Sequence, residues 1–304
     1  MIGKTILVIG GTGFIGFNFI NEALKKEYII TNISLKSLMQ IQHKNLSHYN
    51  CDLLNVDNLK KILINKKFDY VINFGCYVDH SDFLSGGDKV LKTQVDGLTN
   101  LLSILDRSSL IKFINIGSSD EYGNNISPQN EKMLLRPFSP YSLGKTITSE
   151  FLKFLHSTEK LPSLTLRPFL VYGPQQKLDR FLPYIINECL KGKKFDCSAG
   201  NQIRDFCFVN DFIDAIFLSL DNKEANGKTI NVASGMPISI KEVTLKIVKL
   251  IGKGEPKFGK IKMRKDENNS LYADISLAKT ILQWQPKTKL DDGLDKTINF
   301  YKNI

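Results

Sequence analysis

The sequence has few of the residues from which metal sites and disulfide frameworks are built. Its 304 residues include five cysteines and four histidines, with no C-x-x-C pair and no histidine at metal-ligand spacing. An odd number of cysteines without the spacing of a disulfide framework favours a reducing compartment, so we expect a cytoplasmic protein. We also expect no metal site. The first apolar run stops at Gly10, too early for a signal peptide or a membrane span.

Acidic residues are outnumbered by basic ones, yet the surplus positive charge is not clustered. The formal net charge of +10 is spread along the whole chain. Nucleic-acid binding normally needs a dense Lys/Arg cluster or interleaved aromatics, so no nucleic-acid partner is expected. A small phosphate-bearing partner requires only a few of these charges. The length and the 42% hydrophobic content are enough to bury a full core.

Short β-branched runs alternate with longer amphipathic stretches over roughly the first half of the chain. This pattern predicts an α/β fold, a Rossmann-type doubly wound parallel sheet with helices on both faces. The predicted strands are 5–9, 29–33, 70–74, 112–116 and 164–166. The predicted helices are 14–26, 56–64, 90–105 and 141–160.

After Pro168 the elements become shorter and glycines and prolines more frequent. We therefore expect a dinucleotide-binding Rossmann domain over residues 1–168, with a return segment near 205–232. Residues 169–204 and 233–304 would form a smaller C-terminal α/β substrate lobe.

A glycine-rich turn follows the first predicted strand. Gly10, Gly13 and Gly16 form a G-x-x-G-x-x-G pattern where strand should become helix. The first glycine permits the tight turn, the second lets backbone N–H groups approach a pyrophosphate, and the third allows close packing of helix on strand. The expected dinucleotide contacts are Gly10, Thr12, Gly13, Phe14, Ile15 and Gly16.

The end of the second predicted strand lacks the acidic residue that usually binds the ribose hydroxyls of NAD. Ser34 and Lys36 stand there instead. A hydroxyl and an ammonium suit the extra phosphate of NADP, so NADP is favoured and NAD stays possible. Asp52, with Leu53, is expected near the adenine. The alternative is that Asp52 caps the helix that begins near residue 56.

A tyrosine and a lysine four residues apart open a predicted helix. Of the ten tyrosines, only Tyr141 has a lysine at this distance, Lys145. The spacing puts both side chains on one helix face, where the ammonium favours the phenolate and thus proton exchange with a sugar oxygen. A chance surface pair is the alternative. It is weakened by the polar run 117–123, which follows a buried strand at the edge where such sheets bind ligands.

These features resemble the extended short-chain dehydrogenase/reductase family, in its nucleotide-sugar epimerase, dehydratase and 4-ketoreductase group. The likeness covers nearly the whole chain and rests on residues 10–16, 114–123, 141–145, 166–169, 171–174, 204–206, 209–211, 231–235 and 284–286. It implies a catalytic set of Ser118, Tyr141 and Lys145. It also implies a nucleotide-diphosphate sugar as partner, a link to surface-polysaccharide biosynthesis, and a homodimer joined through helices 90–105 and 141–160.

The resemblance extends to further binding residues. It implies cofactor contacts at Phe74, Gly75, Tyr141, Lys145 and Arg167. The expected substrate contacts are Ser119, Asp120, Arg204 and Arg264, and His80, which follows the predicted strand 70–74, could line the sugar pocket. For the two arginines, ion pairs with Asp205 and Asp266 are the alternative, and a loop histidine such as His80 is often structural.

Three reactions compete within this group. A 4,6-dehydratase needs an acid and a base beside the tyrosine, where this chain has Ser119 and Asp120 with Glu121 displaced by one position. An epimerase recycles tightly held NAD. A reductase consumes NADPH, and the 117–123 run also resembles reductases of nucleotide-linked 4-keto-6-deoxysugars. The sequence thus favours an NADPH-dependent 4-ketoreductase, with a 4,6-dehydratase or 4-epimerase using bound NAD as alternative and a non-catalytic dinucleotide-binding protein as a second one.

Overall fold

The computed structural model describes residues 3–37, 39–75, 79–262 and 268–303. The strands are β1 (Thr5–Ile9), β2 (Ile29–Ser34), β3 (Leu46–Asn50), β4 (Tyr70–Asn73), β5 (Lys112–Ile116), β6 (Ser163–Pro168), β7 (Leu170–Tyr172), β8 (Lys194–Asp196), β9 (Ile203–Phe208), β10 (Thr229–Val232), β11 (Pro237–Ser239), β12 (Glu255–Lys257) and β13 (Ser270–Leu271). The helices are α1 (Phe14–Lys25), α2 (Val56–Leu63), α3 (Gly87–Ile104), α4 (Pro140–Glu159), α5 (Phe181–Leu190), α6 (Val209–Ser219), α7 (Ile240–Ile251), α8 (Ser276–Ile281) and α9 (Leu290–Lys302). Within the described residues, no helix is both long and apolar enough to cross a membrane.

A seven-stranded sheet in the order β10-β6-β5-β4-β1-β2-β3 forms the centre of the fold. Neighbours from β3 to β6 pair in parallel, and the register aligns Ile9 with Ile33 and Asn73. The predicted doubly wound α/β fold is thus confirmed. Strand order reverses between β1 and β4, and at such a switch point the carboxyl ends of the strands open a crevice for ligands.

Burial explains why the inner strands read as continuous apolar runs. Ile6, Leu7 and Val8 of β1 are each 0% exposed, because helices cover both faces of the sheet. Helix α4 begins at a Ser139 cap, whose Oγ accepts from the Ser142 amide, and has Pro140 at its first position. This start fixes the register of the first turn of α4.

The chain divides into two compact units. The first unit comprises Met1–Gly123, Leu134–Arg167 and Ala215–Ile230, and the second comprises Asn124–Met133, Pro168–Asp214 and Asn231–Ile304. In the second unit, β9 pairs with β7, β11 and β13.

Candidate active site

The glycine turn after β1 has the geometry that its sequence predicts. Gly10 has φ +79, and a Cβ there would lie 3.1 Å from both the Phe74 carbonyl carbon and the Gly75 nitrogen. A Cβ on Gly16 would lie 2.7 Å from the Gly10 oxygen, so α1 can approach β1 only with glycine at this position. Gly13 donates its N–H to the Gly10 oxygen at 3.0 Å and caps α1.

The N-terminus of α1 is suited to an anion. No side chain caps it, and its first turn contains no acidic residue. The amide groups there and the positive end of the helix dipole can therefore serve a bound phosphate. Thr12, Phe14 and Ile15 lie in this segment, as expected for a dinucleotide's diphosphate. The residues present fit that group.

A buried polar network behind the glycine turn was missed in the sequence. Asn32 is fully buried in β2, and its Oδ1 accepts from the Gly11 amide at 2.9 Å. Its Nδ2 donates to His48 Nδ1 at 2.9 Å, and His48 Nε2 in turn donates to the Lys36 carbonyl at 2.9 Å. The network links the phosphate turn to the loop after β2. An asparagine inside a β-branched buried strand is the signal that could have revealed it.

The expected ribose contacts differ in exposure. Ser34 is buried at the end of β2, where its Oγ accepts from the Thr12 amide at 3.4 Å. Lys36 is exposed. Ser34 therefore supports the turn, while the Lys36 side chain has solvent around it and can reach an anion.

Asp52 does not cap α2, so that alternative is wrong. The cap is Asn55, whose Oδ1 accepts from the Asn58 amide at 3.1 Å. The Asp52 carboxylate is exposed and accepts from the Leu54 amide at 2.9 Å, which leaves a side for other partners. Leu53 is half-buried beside it.

Lys145 and Tyr141 lie at the carboxyl end of β5. Lys145 is 7% exposed, and its Nζ donates to the Ile116 carbonyl at 2.7 Å. This bond ties α4 to the last residue of the strand. Tyr141, one turn earlier on the same helix, is 6% exposed. The predicted pair is therefore held at the ligand edge of the sheet and is not a surface pair.

Ser118 begins a short 3-10 helix at the same edge. Its N–H donates to Glu121 Oε1 at 2.7 Å, and its Oγ accepts from the Asp120 amide at 3.2 Å. Ser118 and Ser119 are both buried, two and three residues beyond the end of β5. The turn is thus held rigidly by its own capping interactions.

Glu121 and Arg167 form a buried ion pair. Their atoms Oε2 and Nη2 are 2.6 Å apart, with side-chain exposures of 0% and 2%, and the guanidinium lies 4.4 Å from the Tyr122 ring centre. Burial works against the charged guanidinium, but Glu121 and Tyr122 outweigh it and raise the pKa of Arg167. Burial also opposes the expected cofactor contact of Arg167. Its observed role is to anchor the turn that carries Ser118.

His80 packs against Tyr141. Its ring centre lies 5.1 Å from that of Tyr141 in an edge-to-face arrangement, and its Nε2 lies 3.8 Å from Asp120 Oδ2. The side chains of His80 and Asp120 keep 34% and 25% exposure. The sequence suggested only that His80 could line a pocket.

Gly144 allows α3 to approach α4. A Cβ on this glycine would lie 2.7 Å from Gln94 Oε1. The Gln94 amide is buried, and among the described residues neither its oxygen nor its nitrogen has a hydrogen-bond partner. A polar group therefore lies behind the Tyr141–Lys145 turn, a feature the sequence reasoning did not anticipate.

In the second unit, Arg204 is buried on β9 and donates from Nη1 to the Ile203 carbonyl at 2.9 Å. The neighbouring Asp205 accepts from the Ser234 amide and hydroxyl, at 2.7 and 2.5 Å. Burial raises the pKa of Asp205, although these hydrogen bonds act in the opposite direction. Arg264 lies outside the described residues, and the substrate contacts of both arginines stay predictions.

The family model of GDP-mannose 4,6 dehydratase matches residues 7–297. The chain therefore belongs to this family of nucleotide-sugar epimerases and dehydratases, within the extended short-chain dehydrogenases/reductases, and is an oxidoreductase-type enzyme. The UDP-glucuronate 4-epimerase of Thermodesulfobacterium geofontis is 28% identical, over 97% of this chain and 95% of the relative. The dTDP-glucose 4,6-dehydratase of Xanthomonas campestris pv. campestris is also 28% identical, over 98% and 93%.

Solved structures agree with the fold. The UDP-glucose 4-epimerase of Thermotoga maritima superposes with a TM-score of 0.92 at 23% identity, over 99% of each chain. The UDP-glucuronic acid 4-epimerase of Bacillus cereus, solved with UDP-glucuronic acid and NAD, gives a TM-score of 0.88 at 28% identity, over 99% of each chain.

Proposed function

We propose that this enzyme oxidises the C4 hydroxyl of a nucleotide-linked sugar, in a 4-epimerase or 4,6-dehydratase reaction with a nicotinamide dinucleotide that is regenerated in each cycle. The observation that carries the proposal is the bond from Lys145 to the Ile116 carbonyl. It holds Tyr141 at the edge of the sheet to which the phosphate turn of Gly10 also belongs. The relatives from T. geofontis and X. campestris are an epimerase and a dehydratase, which supports the same pair of reactions.

Each catalytic residue has a distinct task in this proposal. Tyr141 accepts the proton of the C4 hydroxyl, and the Ser118 hydroxyl holds that oxygen in line. Lys145 keeps a positive charge one helical turn from the phenol and contacts the nicotinamide ribose. The bound cofactor supplies the acceptance and return of hydride. The protein supplies orientation, because β5 and α4 are tied together at residue 116.

The cofactor in this proposal is NAD or NADP. The B. cereus neighbour was solved with NAD. No acidic residue ends β2, and Lys36 nearby is exposed. The preference for NADP therefore remains a prediction. Arg204 and Arg264 are proposed contacts of the substrate diphosphate.

The 4-ketoreductase that the 117–123 run favours stays a prediction, and the relatives support the alternative better. The two reactions differ in cofactor balance. A reductase consumes one reduced cofactor per product, whereas an epimerase or a dehydratase returns the hydride to the sugar.

The experiment incubates the enzyme with NAD or NADP and a panel of UDP-, dTDP- and GDP-linked hexoses, and follows the sugars by NMR. We expect a change at C4 with no net use of cofactor. Consumption of NADPH with 4-keto-6-deoxysugars, and no reaction of the parent hexoses, would replace this proposal by the reductase. No reaction with any member of the panel would favour a non-catalytic dinucleotide-binding protein.

A homodimer through α3 and α4 belongs to the same proposal, as does a cytoplasmic location. Leu143, Ile147 and Phe154 are exposed on α4 at spacings of four and seven residues, which forms an apolar stripe on that helix. Sedimentation of the full chain measures the oligomeric state, and a monomer at micromolar concentration would contradict the dimer.

A further inference from the structure

A continuous series of hydrogen bonds connects the phosphate turn to the loop after β2, and no step of the proposed reaction uses it. The Gly11 amide donates to Asn32 Oδ1 at 2.9 Å, and Asn32 Nδ2 donates to His48 Nδ1 at 2.9 Å. His48 Nε2 then donates to the Lys36 carbonyl, also at 2.9 Å. Asn32 is fully buried, whereas His48 is half-buried opposite it on the edge strand β3. The series therefore runs from the expected diphosphate site to the edge of the sheet.

The contacts of Asn32 determine both the orientation of its amide and the tautomer of His48. Oδ1 must face Gly11, because a backbone N–H can only donate. Nδ2 therefore faces His48 Nδ1, which accepts only while it carries no proton. The proton of the neutral ring is then on Nε2, where the Lys36 carbonyl accepts it. All these groups are paired, but only while the imidazole is neutral.

Protonation of His48 would place two donors against each other, because Nδ1–H would then face Asn32 Nδ2. Rotation of the Asn32 amide by half a turn removes this conflict, since Oδ1 then accepts from the imidazolium in a charge-assisted bond. The Gly11 N–H would lose its acceptor and face a donor instead. A Cβ on Gly11 would lie only 2.4 Å from Asn32 Oδ1, so the amide touches the turn and its rotation acts on the turn directly.

We propose that Asn32 and His48 are positioning residues of the dinucleotide site, which hold the phosphate turn in its binding conformation while His48 is neutral and release it when His48 is protonated. The inference rests on the proposed function, because it assumes that the diphosphate of a dinucleotide binds at this turn. The affinity for the cofactor should then fall on acidification. An added positive charge would by itself strengthen the binding of a diphosphate, so the sign of the change separates the rotated amide from the charge.

Few other titratable groups lie on the described elements around His48. Strand β2 contains none, and Tyr49, the next residue of β3, points to the opposite face of the sheet. The remaining groups are the exposed Lys36, His43, Lys44 and Asp52, and the ion pair of Glu22 with Lys25 on α1. Histidine is the residue type that changes charge between about pH 5 and 8, so His43 is the group that requires a control.

The test measures the affinity of the full chain for NAD by calorimetric titration, between about pH 8 and about pH 5. NAD is the probe because a phosphate monoester such as that of NADP titrates in this range itself. His48→Gln keeps one acceptor and one donor and cannot be protonated, whereas His48→Phe keeps a ring and removes both bonds. The controls are His43→Gln and Asn50→Ala, which removes a bond to the same loop, from Asn50 Nδ2 to the Leu35 carbonyl at 2.6 Å.

We expect the affinity of the wild type to fall by about 3- to 10-fold over this range, which corresponds to one hydrogen bond. His43→Gln and Asn50→Ala should show the same fall. His48→Gln should bind NAD like the wild type at the upper end of the range and show no fall, while His48→Phe should bind more weakly at every pH. Rescue by glutamine together with loss of the pH dependence is a result that a packing role of His48 would not give.

A second measurement needs no cofactor. In protein labelled at its glycine nitrogens, the NMR signal of the Gly11 amide should shift on acidification of the wild type and stay in place in His48→Gln. The reason is that the acceptor of this amide is replaced by a donor only when the imidazole is charged.

Two results would overturn the inference while the proposed function stands. One is an affinity of the wild type for NAD that does not change with pH, and the other is a fall in His48→Gln equal to that in the wild type. If the wild type binds no NAD at any pH, the proposed function fails, and the Gly11 signal still decides on the amide. A shift that persists in His48→Gln, or no shift in the wild type, would then reject the inference as well.

Discussion

The two edges of the seven-stranded sheet contain the same kinds of residue in different states. The carboxyl edge has Lys145 and Tyr141, with Asp120 beside them. The amino edge has Lys112 and Tyr70, the first residues of β5 and β4, with Asp221 nearby. Both sets lie in the first unit, and each includes a lysine, a tyrosine and an aspartate. Composition alone therefore cannot tell the site from its counterpart.

At the amino edge the polar groups satisfy one another. Tyr70 donates its hydroxyl to Asp221 at 2.7 Å, and Lys4 donates to the Tyr70 oxygen at 2.8 Å. Lys112 donates to the Asn222 carbonyl at 2.6 Å and also to a neighbouring asparagine side chain. Burial, and secondarily Asp221, raise the pKa of Tyr70, which keeps the phenol neutral. Tyr70 and Lys112 are thus fully buried and hydrogen-bonded, while Asp221 and Lys4 keep 54% and 31% of their side chains exposed.

At the carboxyl edge, the polar side chains are fixed to the end of β5 and some of them stay partly exposed. Lys145 is fixed by one backbone carbonyl, while His80 and Asp120 keep exposed surface beside the tyrosine. Parallel strands direct their carboxyl ends and the following loops to this side, which explains why reactive groups collect here. The comparison teaches that the hydrogen-bond partners of the lysine and the tyrosine, and the end of the strands at which they lie, distinguish the predicted catalytic pair from the structural one.

Replacement of the tyrosine at each edge should give the largest difference between the two edges. Tyr141→Phe should lower turnover by at least about 10²-fold with little change in cofactor affinity, because it removes the proton acceptor and keeps the ring. Tyr70→Phe should leave turnover unchanged and lower the free energy of unfolding by about 1–3 kcal/mol, through the loss of the hydrogen bonds with Asp221 and Lys4. Steady-state rates and denaturant unfolding measure both. Unchanged turnover in Tyr141→Phe would show that another residue transfers the proton.

The support beneath the carboxyl edge gives the next largest effect. Arg167→Met leaves the fully buried Glu121 without its cation and should destabilise the fold by about 3–5 kcal/mol. The double variant Arg167→Met with Glu121→Gln should be distinctly more stable than the single one. Denaturant unfolding of the three proteins tests this. Equal stability of the single and double variants would mean that Glu121 is not an unpaired buried charge in the single variant.

The sequence predicted those parts of the site that depend on neighbours in the chain. The glycine turn follows from the order strand, glycine, helix, and the Tyr141–Lys145 face follows from a spacing of four in a helix. These are local rules, and the structure places both features at the sheet edge where they were expected.

The missed features depend on contacts between distant segments. Glu121 pairs with a residue 46 positions away, so a carboxylate that resembled a displaced catalytic acid proved to be structural. Asn32 and His48 meet only because β2 and β3 are paired strands. The contact of His80 with Tyr141 requires the β4 and α4 segments to converge, and no spacing in the sequence encodes that.

A substitution in the loop after β2 tests the cofactor preference without changing Tyr141, Lys145 or Ser118. Lys36→Glu should weaken NADP binding by more than about 10-fold and NAD binding much less, because the exposed ammonium is the group expected to meet the extra phosphate. Lys44→Glu, another exposed position before β3, is the charge-matched control. Fluorescence titration with each reduced cofactor provides the affinities. Equal losses for both would reject the preference for NADP.

The smallest expected effect concerns the amino edge, where the free energy of unfolding should change its slope with pH. Burial lowers the pKa of Lys112 from 10.5 to about 8, with Asp221 acting in the opposite direction. Between these values the unfolded chain binds a proton that the folded chain lacks, so the free energy of unfolding should rise with pH there. Below about pH 8 both states are protonated, and this contribution is constant.

Lys112→Met removes that rise and leaves an offset that does not depend on pH, because the Asn222 carbonyl loses its donor at every pH. The measurement is the difference in unfolding free energy between the wild type and the variant, followed from pH 8 to 10.5. Other titrating groups cancel in this difference, and exposed Lys44→Met should run parallel to the wild type. Parallel curves for Lys112→Met would mean that Lys112 titrates as it does in the unfolded chain, which would contradict the effect of burial on its pKa.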